Sequence, residues 1–99
     1  MSVLKLKNKD LEIAIKKNMA LINFCTEWCG PCRMVAPIVE EIVNERTDLT
    51  VGKVNVDDSP EIAAKFGVDS IPTLIVFKDG KEIDRLVGFK PKGAILCAL

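Results

Sequence analysis

Cys29 and Cys32 are separated by two residues, Gly30 and Pro31, with Trp28 directly before them. Thiols at this spacing can do two kinds of chemistry. They can cycle between dithiol and disulfide, or supply half of a zinc site. An apolar run, Ala20-Leu21-Ile22-Asn23-Phe24-Cys25, precedes the pair, and a helix-period run from Met34 to Val43 follows it. The thiols thus fall where a strand passes into a helix. A helix N-terminus presents unpaired N–H groups and a partial positive charge. Both favour a thiolate, so the pKa of the more exposed cysteine is expected to fall. With a helix starting around Gly30, both cysteines share its first turn, within disulfide reach. Pro31 fits that turn, because its missing donor would be unpaired there anyway. Attack by Cys29 on a disulfide would give a mixed disulfide, and attack by Cys32 on Cys29 would then release the reduced target.

The elements that must position the pair can be read in order. Val3 to Leu6 suits a short strand. Leu11, Ile13 and Ile15 fit a strand period, whereas Leu11, Ala14, Ile15 and Asn18 fit a helix; Asp10 as a cap and the Lys16-Lys17 ending favour the helix. Ala20 to Thr26 is apolar on both alternations, as in a strand covered on both faces. A helix is expected from the thiol pair to about Arg46, kinked at Pro37. Thr50 to Val56 reads as a strand. Asp58-Ser59-Pro60-Glu61 reads as a helix start with a capping side chain, and Gly67 as that helix's end. Thr73 to Phe77 is a buried strand, Asp79-Gly80 a hairpin turn, and Lys81 to Val87 the antiparallel partner. Gly88 suggests a bulge or a close backbone approach. Pro91 to Leu99 could close with a helix. The order β-α-β-α-β-α-β-β-α asks for right-handed parallel crossovers and a final hairpin. That is an α/β fold: a mixed sheet of about five strands with helices on both faces, one domain over residues 1–99.

Lysine plus arginine and aspartate plus glutamate both number 14, so the formal net charge is zero. Neither nucleic acid nor an anionic membrane is favoured as a partner. Lys5, Lys7, Lys9, Lys16 and Lys17 are spaced between apolar residues, as on a solvated face. The opening Met-Ser-Val-Leu-Lys-Leu-Lys has no apolar stretch of the signal-peptide kind, and no run reaches the roughly 18 residues of a membrane span. A cytoplasmic protein is expected. Permanent disulfides are disfavoured there, leaving the four cysteines as thiols, metal ligands or a working redox pair. The absence of histidine removes the commonest general base and the commonest metal partner of cysteine.

The string Phe24-x-x-x-Trp28-Cys29-Gly30-Pro31-Cys32-Arg33-Met34-x-x-Pro37 is far more specific than the cysteine spacing. With Lys53-Val54-Asn55-Val56-Asp57, Gly67-Val68, Ile71-Pro72-Thr73-Leu74, Phe77-Lys78-Asp79-Gly80 and Gly88, it resembles the thioredoxin family through almost the whole chain. The resemblance implies the thioredoxin fold, with a central mixed sheet flanked by four helices. It implies a protein-disulfide reductase and electron carrier: Cys29 is the nucleophile, Cys32 the buried resolving cysteine, and a thioredoxin reductase recharges the dithiol. It implies that Pro72 is a cis-proline facing the thiols, that the backbone at Ile71 pairs with an extended target segment, and that Trp28 stands beside the nucleophile. Gly88 would let targets approach. On their residues alone, Trp28 could be a surface-packing aromatic and Gly88 a bulge. Disulfide-containing proteins are the expected targets, a monomer the expected state, and neither metal nor organic cofactor is expected.

Two positions depart from the family. Asn23 stands where a buried aspartate usually lies beneath the resolving cysteine, paired with the lysine matching Lys53. An amide can hydrogen-bond a water or the Lys53 ammonium but carries no charge. Its presence is expected to lower the thiol pKa values and to slow deprotonation of Cys32; the plainer alternative is a hydrogen-bonded core amide. Lys53, without its carboxylate, must neutralise or reach solvent. Cys25 replaces a frequent aromatic and reads as a small buried strand residue.

Other readings remain. Cys25, Cys29 and Cys32 spell the C-x3-C-x2-C spacing of radical enzymes that hold an iron–sulfur cluster, though 99 residues are few for such a barrel. Cys97 could complete a metal-binding module. A redox-regulated interaction module, or an oxidant or isomerase of the same superfamily, fits the fold as well.

Overall fold

The computed structural model describes residues 3–16 and 18–99. The elements are β1 (Leu4–Lys5), α1 (Asn8–Ile15), β2 (Met19–Cys25), α2 (Gly30–Glu45), β3 (Thr50–Asn55), α3 (Pro60–Lys65), β4 (Thr73–Lys78), β5 (Lys81–Val87) and α4 (Lys92–Cys97). The strands lie in the order β1-β3-β2-β4-β5. β1 and β2 run parallel to β3, whereas β4 is antiparallel to both β2 and β5. The expected mixed sheet is formed.

β2 lies at the centre, and its alternation explains its continuous apolar run. Ala20, Ile22 and Phe24 face a core shared with Leu11 and Ala14 of α1 and Ile62 of α3. Leu21 faces the opposite core, made with Val35, Val39, Ile42 and Val43 of α2 and Ile95 of α4. Cys25, two positions after Asn23, packs against that second core. Both core layers are therefore needed to fix one strand, and the end of that strand delivers the chain to the thiols. Each fully buried large side chain, such as Phe24 or Ile42, contributes about 1.5–3 kcal/mol relative to exposure.

Residues 8–15 form a helix because Leu11 and Ala14 reach the core on helical spacing, while Ile13 stays 63% exposed. Asp10 is not its cap. Lys7 holds that position without a side-chain bond, and Asp10 lies in the first turn, where its carboxylate still favours the positive helix end. Lys5, Lys7 and Lys16 are exposed, as expected of a solvated face. The Lys9 side chain and Lys17 lie outside the described residues.

α2 runs through Pro37 as one element of 16 residues. Ser59 stands at the N-cap of α3 but makes no capping bond. Asn55 organises that turn instead: its side-chain oxygen accepts from the N–H of Asp57 at 2.9 Å and of Asp58 at 3.4 Å. At the other end of α3, Gly67 at φ +66° lets its N–H reach Ala64 O (3.2 Å) and the Val68 N–H reach Ala63 O (2.8 Å). This is the paired closure that an αL residue permits. The Arg85 guanidinium also donates to Phe66 O at 2.7 Å. Asp79 and Gly80 both take positive φ, 52° and 87°, as a two-residue hairpin turn requires. The sheet's bulge is not at Gly88. It lies where Val76 pairs with Asp84 but Phe77 with Glu82, leaving Ile83 as the extra residue.

Candidate active site

Cys29 is the N-cap of α2, with extended backbone (φ −82°, ψ 122°), and its sulfur accepts the N–H of Cys32 at 3.4 Å. The place of a capping hydroxyl or carboxylate is thus taken by a sulfur. Gly30 and Pro31 fill the first two helical positions, and the Arg33 N–H reaches Cys29 O at 3.2 Å. The two cysteines share the first turn because the helix begins between them. Both are largely covered: Cys29 is 7% exposed and Cys32 3%.

From the opposite side, the Ile71 carbonyl lies 4.0 Å from the Cys29 thiol. The Ile71–Pro72 bond is cis, and the Pro72 carbonyl accepts the Gly88 N–H at 2.8 Å. Gly88 has φ +84°, and no atom lies within 4 Å of where its Cβ would stand. It is the close backbone neighbour of Pro72. The exposed Val87 and Phe89 flank it. Trp28 is 68% exposed, and its indole N–H donates to the Asp57 carboxylate at 2.6 Å. It is tied by its polar edge and leaves most of its surface to solvent. Asp57 had no role on sequence grounds; only its place after β3, facing the end of β2, brings it to the indole.

Beneath the pair, Cys32 meets Cys25, Cys29 and the backbone N–H of Thr26. Burial pushes the Cys32 thiol well above its ordinary range, and its hydrogen bonds with Cys25 and Cys29 push it further; the Thr26 N–H opposes them. Burial likewise raises Cys25, against its hydrogen bond with Cys32 and the charge on Lys53.

Asn23 is 4% exposed, and its side-chain oxygen accepts the Cys25 thiol at 3.0 Å. It is a hydrogen-bonded core amide, one of the two readings its sequence position allowed. Lys53 lies beside Asn23 across the β2–β3 ladder, but its side chain is exposed, which removes the cost of a buried ammonium. Cys25 is half-buried against the second core, as a small strand residue, and its thiol also donates to Asn23. The sequence hint for this contact is that Asn23 and Cys25, two apart on a strand, share a face.

A cleft of about 410 Å³ opens beneath α2, with Asn23, Cys25, Thr26, Cys32 and Lys53 among its lining. The Thr26 hydroxyl is buried with no partner. Among the described residues, no three His, Cys, Asp or Glu side chains are grouped to hold a metal ion, and no helix is long and apolar enough to cross a membrane.

The thioredoxin family model matches residues 2–99. A thioredoxin from Chlamydia caviae is 51% identical over 82 residues, 83% of this chain and 80% of the relative. One from Staphylococcus epidermidis is 44% identical over 95 residues, 93% and 89% of the two chains. A mutant thioredoxin from Halobacterium salinarum NRC-1 superposes with a TM-score of 0.89 at 33% identity, covering 95% of this chain and 84% of its own. The family model covers nearly the whole chain and the two relatives are 51% and 44% identical, so the chain belongs to the thioredoxin family of thiol-disulfide oxidoreductases.

Proposed function

We propose that the chain reduces protein disulfides, with Cys29 as nucleophile and Cys32 as resolving thiol. Cys29 attacks one sulfur of a target disulfide, forming a mixed disulfide and releasing the target's other sulfur as thiolate. Cys32 loses its proton and attacks Cys29. The Cys29–Cys32 disulfide forms, and the target leaves with two thiols. The observation that carries this reading is the position of the Cys29 sulfur. It caps α2 by accepting the Cys32 N–H, it lies 4.0 Å from the Ile71 carbonyl, and it is the more exposed of the two.

Ile71 precedes β4, and it is the segment on which an extended target would add as a strand. Pro72 and Gly88 hold that segment together through their hydrogen bond, and Trp28 supplies an open apolar face. Gly30 and Pro31 set the helix start. Asn23 supports Cys32 indirectly, through Cys25, and Lys53 brings positive charge to the same cleft. A thioredoxin reductase returns two electrons to the disulfide, and the chain works in the cytoplasm as a monomer on disulfide-containing proteins.

Turnover with a protein disulfide substrate and dithiothreitol as electron source tests this reading. The chain is expected to accelerate reduction, and Cys29→Ser to abolish the acceleration. Retained activity in Cys29→Ser would overturn it.

A further inference from the structure

The segment that faces the thiols is supported at two points from the β5 side. Residues 66–72 carry the chain from the end of α3 to β4 and bring the Ile71 carbonyl to Cys29. At the far end of this loop, the Gly88 N–H, just past β5, donates to Pro72 O at 2.8 Å. At its near end stands Arg85. Its Nη2 donates to Phe66 O at 2.7 Å and its Nη1 to Gly67 O at 3.4 Å. These carbonyls follow the last helical residue of α3, where no further turn supplies donors. The guanidinium is itself aimed. The Glu82 carboxylate accepts from its Nε at 2.9 Å and from its Nη2 at 2.8 Å, a two-point fork that sets its plane. Arg85 stands opposite Ile75 on the ladder, and Ile75 belongs to the core that includes Ile62 of α3, so the fork lies on the α3 side of the sheet.

We infer that Arg85 is a positioning residue for target binding: it holds the start of the 66–72 loop so that the backbone at Ile71 is preset for an extended polypeptide. This rests on the reading of Cys29 as nucleophile and of Ile71 as the edge to which a target adds. Of the three residues between Gly67 and Ile71, Val68 packs against the core, whereas Asp69 and Ser70 are exposed. The exposed pair passes any shift of the loop's start on toward Ile71. A preset edge spares the incoming strand part of its ordering cost. Arg85 acts through Phe66 and Gly67 and supplies no group to the thiols, so its loss weakens capture of polypeptides and leaves thiol exchange alone. A small disulfide has no extended backbone to pair and does not depend on the clamp.

Arg85→Ala separates the two substrates. The reduced chain, freed of other thiols, is mixed in single-turnover experiments with insulin or with the disulfide of thionitrobenzoate, well below the unfolding midpoint of each variant. The half-saturating insulin concentration should rise about tenfold at a nearly constant limiting rate, as expected when a preorganised edge is loosened. The rate with the small disulfide should not change. Arg85→Lys keeps the charge and loses the fork; it should show the same selective shift at smaller size, and it decides the matter if Arg85→Ala does not fold. A lowered unfolding midpoint with unchanged insulin saturation would overturn the inference and leave Arg85 as a cap of α3 alone. Equal losses with both substrates would also overturn it. In either case, reduction of insulin by the unsubstituted chain would leave the Cys29 reading standing. An unsubstituted chain that reduces neither substrate would overturn both.

Discussion

The Cys25 thiol donates to the Asn23 side-chain oxygen at 3.0 Å, and both groups line the cleft that reaches Cys32. An amide therefore sits near the resolving thiol with its acceptor already engaged. It offers Cys32 no base. Burial and the neighbouring thiols keep that proton tightly bound, so the second half of the reaction is where this chain should be slow.

Asn23→Asp tests that statement. A carboxylate beside the cleft can take a proton on the way from Cys32 to solvent. Resolution of a Cys29 mixed disulfide should then quicken by roughly 10²-fold, the lower end of general-base contributions. Stopped-flow decay of a fluorescent mixed disulfide measures it. An unchanged lifetime would mean that the amide does not limit the step.

The alkaline limit of stability should differ between redox states. The folded pKa of Cys32 stands above its unfolded value, so the fold keeps a proton that the unfolded chain has lost. The stability this contributes is whole below about pH 8.5 and falls as pH rises toward the folded value. In the oxidised chain Cys32 carries no proton, and this loss is absent. Between pH 8 and pH 10 the reduced chain should lose about 1–2 kcal/mol more than the oxidised chain. Urea midpoints of the two forms across that range check the difference, and parallel curves would contradict it.

Trp28 is anchored to Asp57 by a 2.6 Å bond, although the indole is mostly exposed. Asp57→Ala should release the ring with little change in stability, under about 1 kcal/mol for so open a pair. The cost should appear as a higher KM for protein disulfides at nearly constant kcat. Steady-state reduction assays separate the two constants, and a fall in kcat alone would refute the anchoring role.

Gly88→Ala isolates backbone strain from crowding. A Cβ there meets no atom within 4 Å, yet φ is +84°. The substitution should cost about 1–2 kcal/mol through conformation alone. It should also loosen the bond that joins Gly88 to Pro72. An unchanged denaturation midpoint would show that the position tolerates an L side chain.

Most of the architecture was legible because the period of each segment matches its burial. β2 reads apolar throughout because a helix layer covers each face, and Asp79-Gly80 marks a turn that needs two positive φ values. Local capping was less legible. Asp10 and Ser59 are good cap residues by type, but Lys7 stands at the N-cap of α1, and Ser59, although at the N-cap of α3, makes no side-chain capping bond. The thiol pair and its helix could be placed from spacing. Its surroundings could not: the contacts of Cys32 with Cys25 and of Trp28 with Asp57 join residues from separate elements, and only the packed sheet brings them together.

The central claim is the division of labour between Cys29 and Cys32, and trapping the intermediate tests it most directly. Cys32→Ser is mixed with a disulfide-containing protein, acid-quenched and mapped by mass spectrometry. The division of labour predicts a stable one-to-one mixed disulfide through Cys29 in Cys32→Ser, and only the released, reduced target with the unsubstituted chain. A trapped bond through Cys25 or Cys97, or no covalent adduct, would contradict it.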